Sequence, residues 1–283
     1  MVIPLLLASA LGLAAEDAPP VAPPREVELL SAGRGRKHLL RISPQADDTW
    51  DVQLRRRAST STSLDQGPRQ QTPLPAQVHE LTAHVDPGGL ELRLLAAEQP
   101  GAPMELHLDL RDAVQALAAI PWVSAPDPRQ RTVPVVQSVP DDPDALQAEL
   151  VADVAWSLDL VSVPLPEERV GRGARWRVQR PATEQGIAVT QEATYEVLRV
   201  KGTEVVLGLS LTLHTAPDAL LDEARVEGFE ATGEGTLWLD LRRPLARAAD
   251  LSLDGSIVVT WIDEDVPHRV DGTFHTRLQL ATR

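Results

Sequence analysis

The segment PLPEERVGRGARW, Pro164 to Trp176, supports two opposite readings. Two glycines among arginines suit a loop wrapped around an anion, but a turn leading into a β-strand needs the same glycines. A phosphate loop follows a strand and aims its backbone amides from a helix N-terminus. Here Gly171 and Gly173 come before Trp176-Arg177-Val178-Gln179, which alternates as a strand does. No Gly-Lys-Ser/Thr follows, and the sixth position of a G-x-G-x-x-G is Trp176. Pro164 and Pro166 close whatever helix lies upstream, because proline disfavours helical geometry in the residue before it. The segment therefore reads as a turn and a strand entrance, with Trp176 laying its ring on a sheet.

Working outward, period-two alternation dominates. In LSLDGSIVVTW, Leu251, Leu253, Ile257, Val259 and Trp261 share one face, and Ser252, Asp254, Ser256 and Thr260 share the other. VDGTFHTRLQL sets Val270, Phe274, Leu278 and Leu280 against Asp271, Thr273, His275, Arg277 and Gln279. Strands with one wet and one packed face belong to antiparallel sheets. ATYEVLRV and EVVLGLSLTLH flank Lys201-Gly202, a hairpin turn, with Val205, Leu207, Leu209, Leu211 and Leu213 inward. GTLWLDL adds Leu237, Leu239 and Leu241.

The expected fold is mainly β, a β-rich α+β arrangement of two related antiparallel sheets. Trp50-Asp-Val-Gln recurs as Trp176-Arg-Val-Gln, each followed by a hairpin signal, which raises an internal duplication as a reading. Two helical patterns interrupt the strands. DDPDALQAELVADVAWSLDLV offers Asp142 as N-cap, Pro143 in the first turn and a stripe of Leu146, Leu150, Val154 and Leu158, predicting a connecting helix over 143–158. RDAVQALAAI (111–120) is a shorter helix candidate. The layout that follows is 27–123 as an N-terminal β half, 124–142 as a proline-rich junction, and 143–283 as helix plus C-terminal β half.

The start of the chain points to export. MVIPLLLASALGLAA is an apolar run ending in small residues, and residues 16–26, EDAPPVAPPRE, form a proline-rich tether. The run is too short for a bilayer span, and no later stretch approaches ~18 apolar residues, so no transmembrane segment is expected in the mature chain. A signal peptide over residues 1–15, cleaved near Ala14 or Ala15, predicts a periplasmic or secreted protein. The absence of cysteine removes a lipobox, disulfides and thiolate metal sites. A net charge of −14 disfavours nucleic acid as a partner.

PLPEERVGRGARW also resembles a segment of uncharacterised bacterial exported envelope proteins and lipoproteins, in which it opens the second half of a two-part β-rich domain. GEGTLWLDLRRPLARAADLSLDGSIVV is similar to their meander, a Gly-x-Gly strand ending in Asp, a turn and a long strand. The resemblance implies a β-sheet fold and export, with no catalytic residues to carry over.

Candidate chemistry is sparse. His79 and His84 stand five apart, about 140° around a helix and on opposite faces of a strand, so neither geometry makes a zinc pair. In MELHLDL, read as a strand, Glu105, His107 and Asp109 share one face and are candidate metal ligands. Asp263, Glu264 and Asp265 match no calcium loop. No nucleophile elbow is present and no cofactor is implied. The expectation is a non-enzymatic exported binding or structural protein of the cell envelope, its partner an envelope protein or an apolar ligand. The alternative is a carrier of lipid or another apolar ligand in a curved-sheet groove, with the 143–158 helix as lid or plug. A metal-dependent enzyme at Glu105, His107 and Asp109 comes third. Packed side chains in the concave face would favour a scaffold, an apolar cavity a carrier, and convergent polar groups an enzyme.

Overall fold

The computed structural model describes residues 25–283, apart from 87, 126, 131–133, 137–142, 185–186, 216–219, 222–223 and 264–265. The signal peptide, most of the tether, Asp142, Glu264 and Asp265 lie outside the described residues.

The first half contains β1 (Val27–Ser31), β2 (Arg34–Leu39), β3 (Thr49–Leu64), β4 (Gln70–Pro73), β5 (Gln77–Asp86) and β6 (Gly89–Glu98). Helix α1 (Met104–Leu117) follows, then β7 (Trp122–Ser124), β8 (Val135–Val136) and helix α2 (Ala145–Val161). The second half runs β9 (Arg169–Arg172), β10 (Arg175–Glu184), β11 (Ile187–Lys201), β12 (Glu204–Thr215) and β13 (Leu220–Leu221). It ends with β14 (Ala224–Asp240), β15 (Ala248–Asp263) and β16 (Val266–Thr282).

The fold is mainly β, and its two sheets are antiparallel and unequal. One has fourteen strands in the order β1-β10-β11-β12-β14-β15-β16-β3-β5-β6-β7-β8, with β13 on β14 and β4 on β3. The other is the pair β2-β9. Both halves enter the large sheet because the last strand, β16, pairs with β3 along nearly its whole length. Strand β1 adds to β10 at the opposite edge, so the sheet ends in two edges and is not a closed barrel. Trp50 and Trp176 each sit on the first strand of a meander, β3-β5-β6 and β10-β11-β12.

The opening segment is the turn and strand that its order of residues predicts. Gly173 takes φ +74°, and a Cβ on Gly171 would lie 2.3 Å from the Arg34 carbonyl oxygen, so both positions require glycine. Trp176 is fully buried and its indole N–H donates to the Pro164 carbonyl at 2.8 Å. Its ring stacks on Tyr195 with centroids 5.5 Å apart. The hairpin turn at Gly202, φ +62°, also stands where expected, between Lys201 and Glu204.

Two local readings are corrected. MELHLDL is the first half of α1 rather than a strand. The buried residues Leu110, Ala113, Val114 and Leu117 repeat at helical spacing, while Leu108, inward on the strand reading, is 44% exposed. The leucine alternation at 106, 108 and 110 is local; the stripe running on through 117 decides the element. Helix α2 is capped by Asp144, whose carboxylate accepts the Gln147 N–H at 2.8 Å, so Pro143 lies outside the helix instead of in its first turn. The helix also runs three residues beyond the expected Leu158, to Val161.

Candidate functional site

Directly opposed residues in adjacent strands point to the same side of a sheet. One such row runs Trp176, Tyr195, Leu209, Gly235, Leu251, Leu278, Arg56, Gln77 across eight strands, from β10 to β5. This is the inner face, and α2 lies on it. Trp156 and Leu160 of α2 face Leu209, Leu211, Leu251, Leu253 and Leu278. At one side of the helix Asp159 pairs with Arg180 of β10; at the other, Leu150 and Asp153 sit beside His79 of β5 and Ala97 of β6. Nine strands laid flat span ~38 Å, whereas a helix with its side chains is ~10–12 Å across. For one helix to touch strands from β10 to β6, the sheet must curl around it as a trough. Gly235 helps the wall bend and close up: a Cβ there would lie 2.4 Å from Leu251 Cδ2.

Helix α2 fills the trough. Of its residues only Ala145, at the N-terminal end, is exposed, and the buried set Ala148, Leu150, Val151, Val154, Leu158, Leu160 and Val161 covers most of its circumference. The gap between Trp156, Leu160 and the sheet leucines has a volume of about 10 Å³, no more than one water. The space beside His79, Leu150 and Asp153 is equally small.

Polar contacts hold the helix at two places. In the first, Arg56, on the inner face in phase with Trp50, Val52 and Leu54, pairs with Asp153 at 2.7 Å and lies 5.7 Å from the Trp156 ring centroid. Its Nε–H also donates to Gln77 Oε1 at 2.7 Å. Burial pushes the Asp153 carboxyl up despite the opposing Arg56 charge. Burial and then Asp153 push the Glu149 carboxyl up, again against Arg56. His79 is held down to about 4, first by burial and then by the Arg56 charge, so its imidazole is neutral at pH 7.

The second place is across the trough. Asp159 takes ion pairs from both Arg25 and Arg180. Arg25 is 7% exposed and also donates to the Ser162 carbonyl at 3.0 Å. Arg180 donates to Gln191 Oε1 at 2.8 Å. Burial and then the neighbouring Arg25 lower Arg180 to about 10, and burial raises the Tyr195 phenol beside them. Two guanidiniums share one carboxylate.

The sequence-derived metal candidates are not brought together. On α1, Glu105 and Asp109 lie one turn apart while His107 projects about 200° away from either. Glu105 and Asp109 are exposed and His107 is half-buried. Among the described residues no three His, Asp or Glu side chains form a group able to hold a metal. His79 and His84 fall on opposite faces of β5: His79 is 4% exposed inside the trough, and His84 contacts Thr49 Oγ1 outside at 3.1 Å. The residues that do converge are Arg56, His79 and Asp153 at one place and Asp159 and Arg180 at the other; only His79 was singled out in the sequence, for a zinc pairing it does not make. Their signal was phase: each charged or polar group occupies an inward position of a strand, or a buried position of an apolar helix.

No described helix is long and apolar enough to cross a membrane. No protein-family model matches the chain, and no curated protein is significantly similar in sequence. Among solved structures, one titled "lipid-protein interactions in lipovitellin" is similar over 84% of this chain, at 10% identity and a TM-score of 0.47. The chain spans 25% of the length of that structure. A likeness of this size bears on neither family nor function.

Proposed function

We propose that the protein is an exported binding protein without catalytic chemistry of its own. It carries an apolar ligand in the trough, and α2 occupies that place in the ligand-free form. The observation that carries this reading is the way α2 is fastened: within a largely apolar contact, carboxylates of the helix meet arginines of the wall at two places among the described residues. A permanent core gains little from such pairs, since replacing a buried ion pair by packed apolar groups is often neutral or stabilising. A helix that must seat in one register and also leave is better served by them. The apolar run at the start of the chain, read as a signal peptide, supports export.

The size of α2 bounds the ligand. Leu150, Val151, Val154, Leu158, Leu160 and Val161 are buried on it, each worth ~2 kcal/mol, or ~12 kcal/mol together. At ~0.8 kcal/mol per methylene, a replacement needs ~15 methylenes. Long chains displace the helix and short ones do not. The closed packing of the trough favours a competing reading, an envelope scaffold with no ligand.

Hydrogen exchange separates the two. On the carrier reading, oleyl alcohol binds and speeds amide exchange along 145–161, the reverse of the usual protection by a ligand, while octanol does nothing. Native mass spectrometry of protein extracted from its own envelope should also show a bound amphiphile of long-chain mass. Unchanged exchange in α2 with both alcohols, together with a bare protein mass, would refute the carrier and leave the scaffold.

A further inference from the structure

The two fastenings of α2 are not equivalent. At Arg56 the nearby acids outnumber the cation: Asp153 pairs with it and Glu149 stands on the same helix one turn away. At Arg25 and Arg180 the balance is opposite. Both guanidiniums converge on Asp159, so a positive charge is left over in a place walled by the buried residues Tyr195 and Gln191. Asp159 is the one carboxylate paired with either arginine among the described residues, and it arrives on α2 between the buried apolar residues Leu158 and Leu160.

We propose that Arg25 and Arg180 form the headgroup site of the carried ligand, and that the ligand is an anionic amphiphile with a carboxylate or phosphate head. This rests on the carrier reading above. Helix α2 then imitates its ligand: Asp159 stands where the acidic head binds, and the leucines and valines stand where the chain lies. Two arginine forks suit the oxygens of a carboxylate or phosphate, each accepting paired N–H donors. Charge-assisted bonds are strongest where water is excluded, as beside Arg25, which is 7% exposed. The position is also right for a head with a tail. Arg180 is two residues from Val178 and four from Trp176 on the inner side of β10, so a chain starting there meets the row Tyr195, Leu209, Leu251 and Leu278.

The test compares oleate with oleyl alcohol, octanoate and inorganic phosphate on the full-length protein, below the micelle-forming concentration, by isothermal titration calorimetry and by exchange in α2. Wild type should bind oleate at least tenfold more tightly than oleyl alcohol. The pair Arg25→Gln with Arg180→Gln should lose that preference and keep the alcohol. Asp159→Asn, which removes the internal anion and keeps both arginines, should bind oleate several-fold more tightly, the opposite of what a purely structural pin would do; it also serves if the double arginine variant does not fold. If neither long-chain compound binds, the carrier reading falls and the headgroup site with it. If both bind equally to wild type, the carrier stands and the headgroup site is refuted. The headgroup site is equally refuted if the preference survives in the double variant. Octanoate or phosphate binding as tightly as oleate would mark a free-anion site and overturn the amphiphile.

Discussion

Truncating Trp176 tests the reading on which the fold turns. The side chain is fully buried, its N–H donates to the Pro164 carbonyl at 2.8 Å, and its ring stacks on Tyr195 at 5.5 Å. Trp176→Ala should destabilise the protein by ~3–5 kcal/mol, the range for opening an aromatic-sized cavity in a core. Within that, the stack accounts for ~1 kcal/mol and the hydrogen bond for another ~1 kcal/mol; the rest is lost transfer energy and cavity. Trp176→Phe separates these parts. It keeps an apolar ring but leaves the Pro164 oxygen without its donor, costing ~1–3 kcal/mol. Arg172→Ala, on an exposed side chain four residues earlier, should change stability by ~0.5 kcal/mol or less. Urea unfolding followed by circular dichroism gives the three midpoints at constant slope. A Trp176→Ala protein within 1 kcal/mol of wild type, by roughly the resolution of such curves, would mean that the ring does not anchor the sheet. The segment would then have to be reconsidered as a ligand loop.

Gly235→Ala should cost ~1–3 kcal/mol by overpacking, because its Cβ would lie 2.4 Å from Leu251 Cδ2 and 2.5 Å from the Asp250 carbonyl oxygen. Gly228→Ala, with no atom within 4 Å, should be neutral in the same thermal-melt series; equal losses at both positions would contradict the tight wall of the trough. His79 makes stability depend on pH. Its folded pKa is lowered from 6.5 to about 4, so on acidification the unfolded chain takes up a proton that the folded chain refuses. The stability it protects is fully present above pH 6.5 and is lost as pH falls towards 4, by up to ~3 kcal/mol. Asp153 and Glu149, both raised, act in the opposite sense, because the folded state takes up their protons first. The difference between wild type and His79→Leu, measured from pH 7 to 4, isolates the imidazole; parallel curves would show that it is not held neutral by burial.

What the sequence determined by itself was the long alternating strands of the sheet and their wet and dry faces. Alternation is a local property: Leu251, Leu253, Ile257 and Val259 are inward in the structure because a strand turns each successive side chain over, whatever its neighbours are. Turn chemistry was legible for the same reason, at Gly173 and Gly202. Helix and strand were confused only in MELHLDL, where three leucines satisfied a period of two and the decisive contacts lay further along α1. Tertiary structure alone decided how the strands join. Pairing β16 with β3 brings together Leu280 and Leu54, 226 positions apart, and no local pattern encodes that choice of partner. It also decided the site. Arg56, His79 and Arg180 stood out of phase with solvent in the sequence, and Asp153 and Asp159 sat on an apolar helix. Only the curl of the sheet around α2 set each cation opposite a carboxylate, because buried charges are tolerable only where the fold supplies their partners.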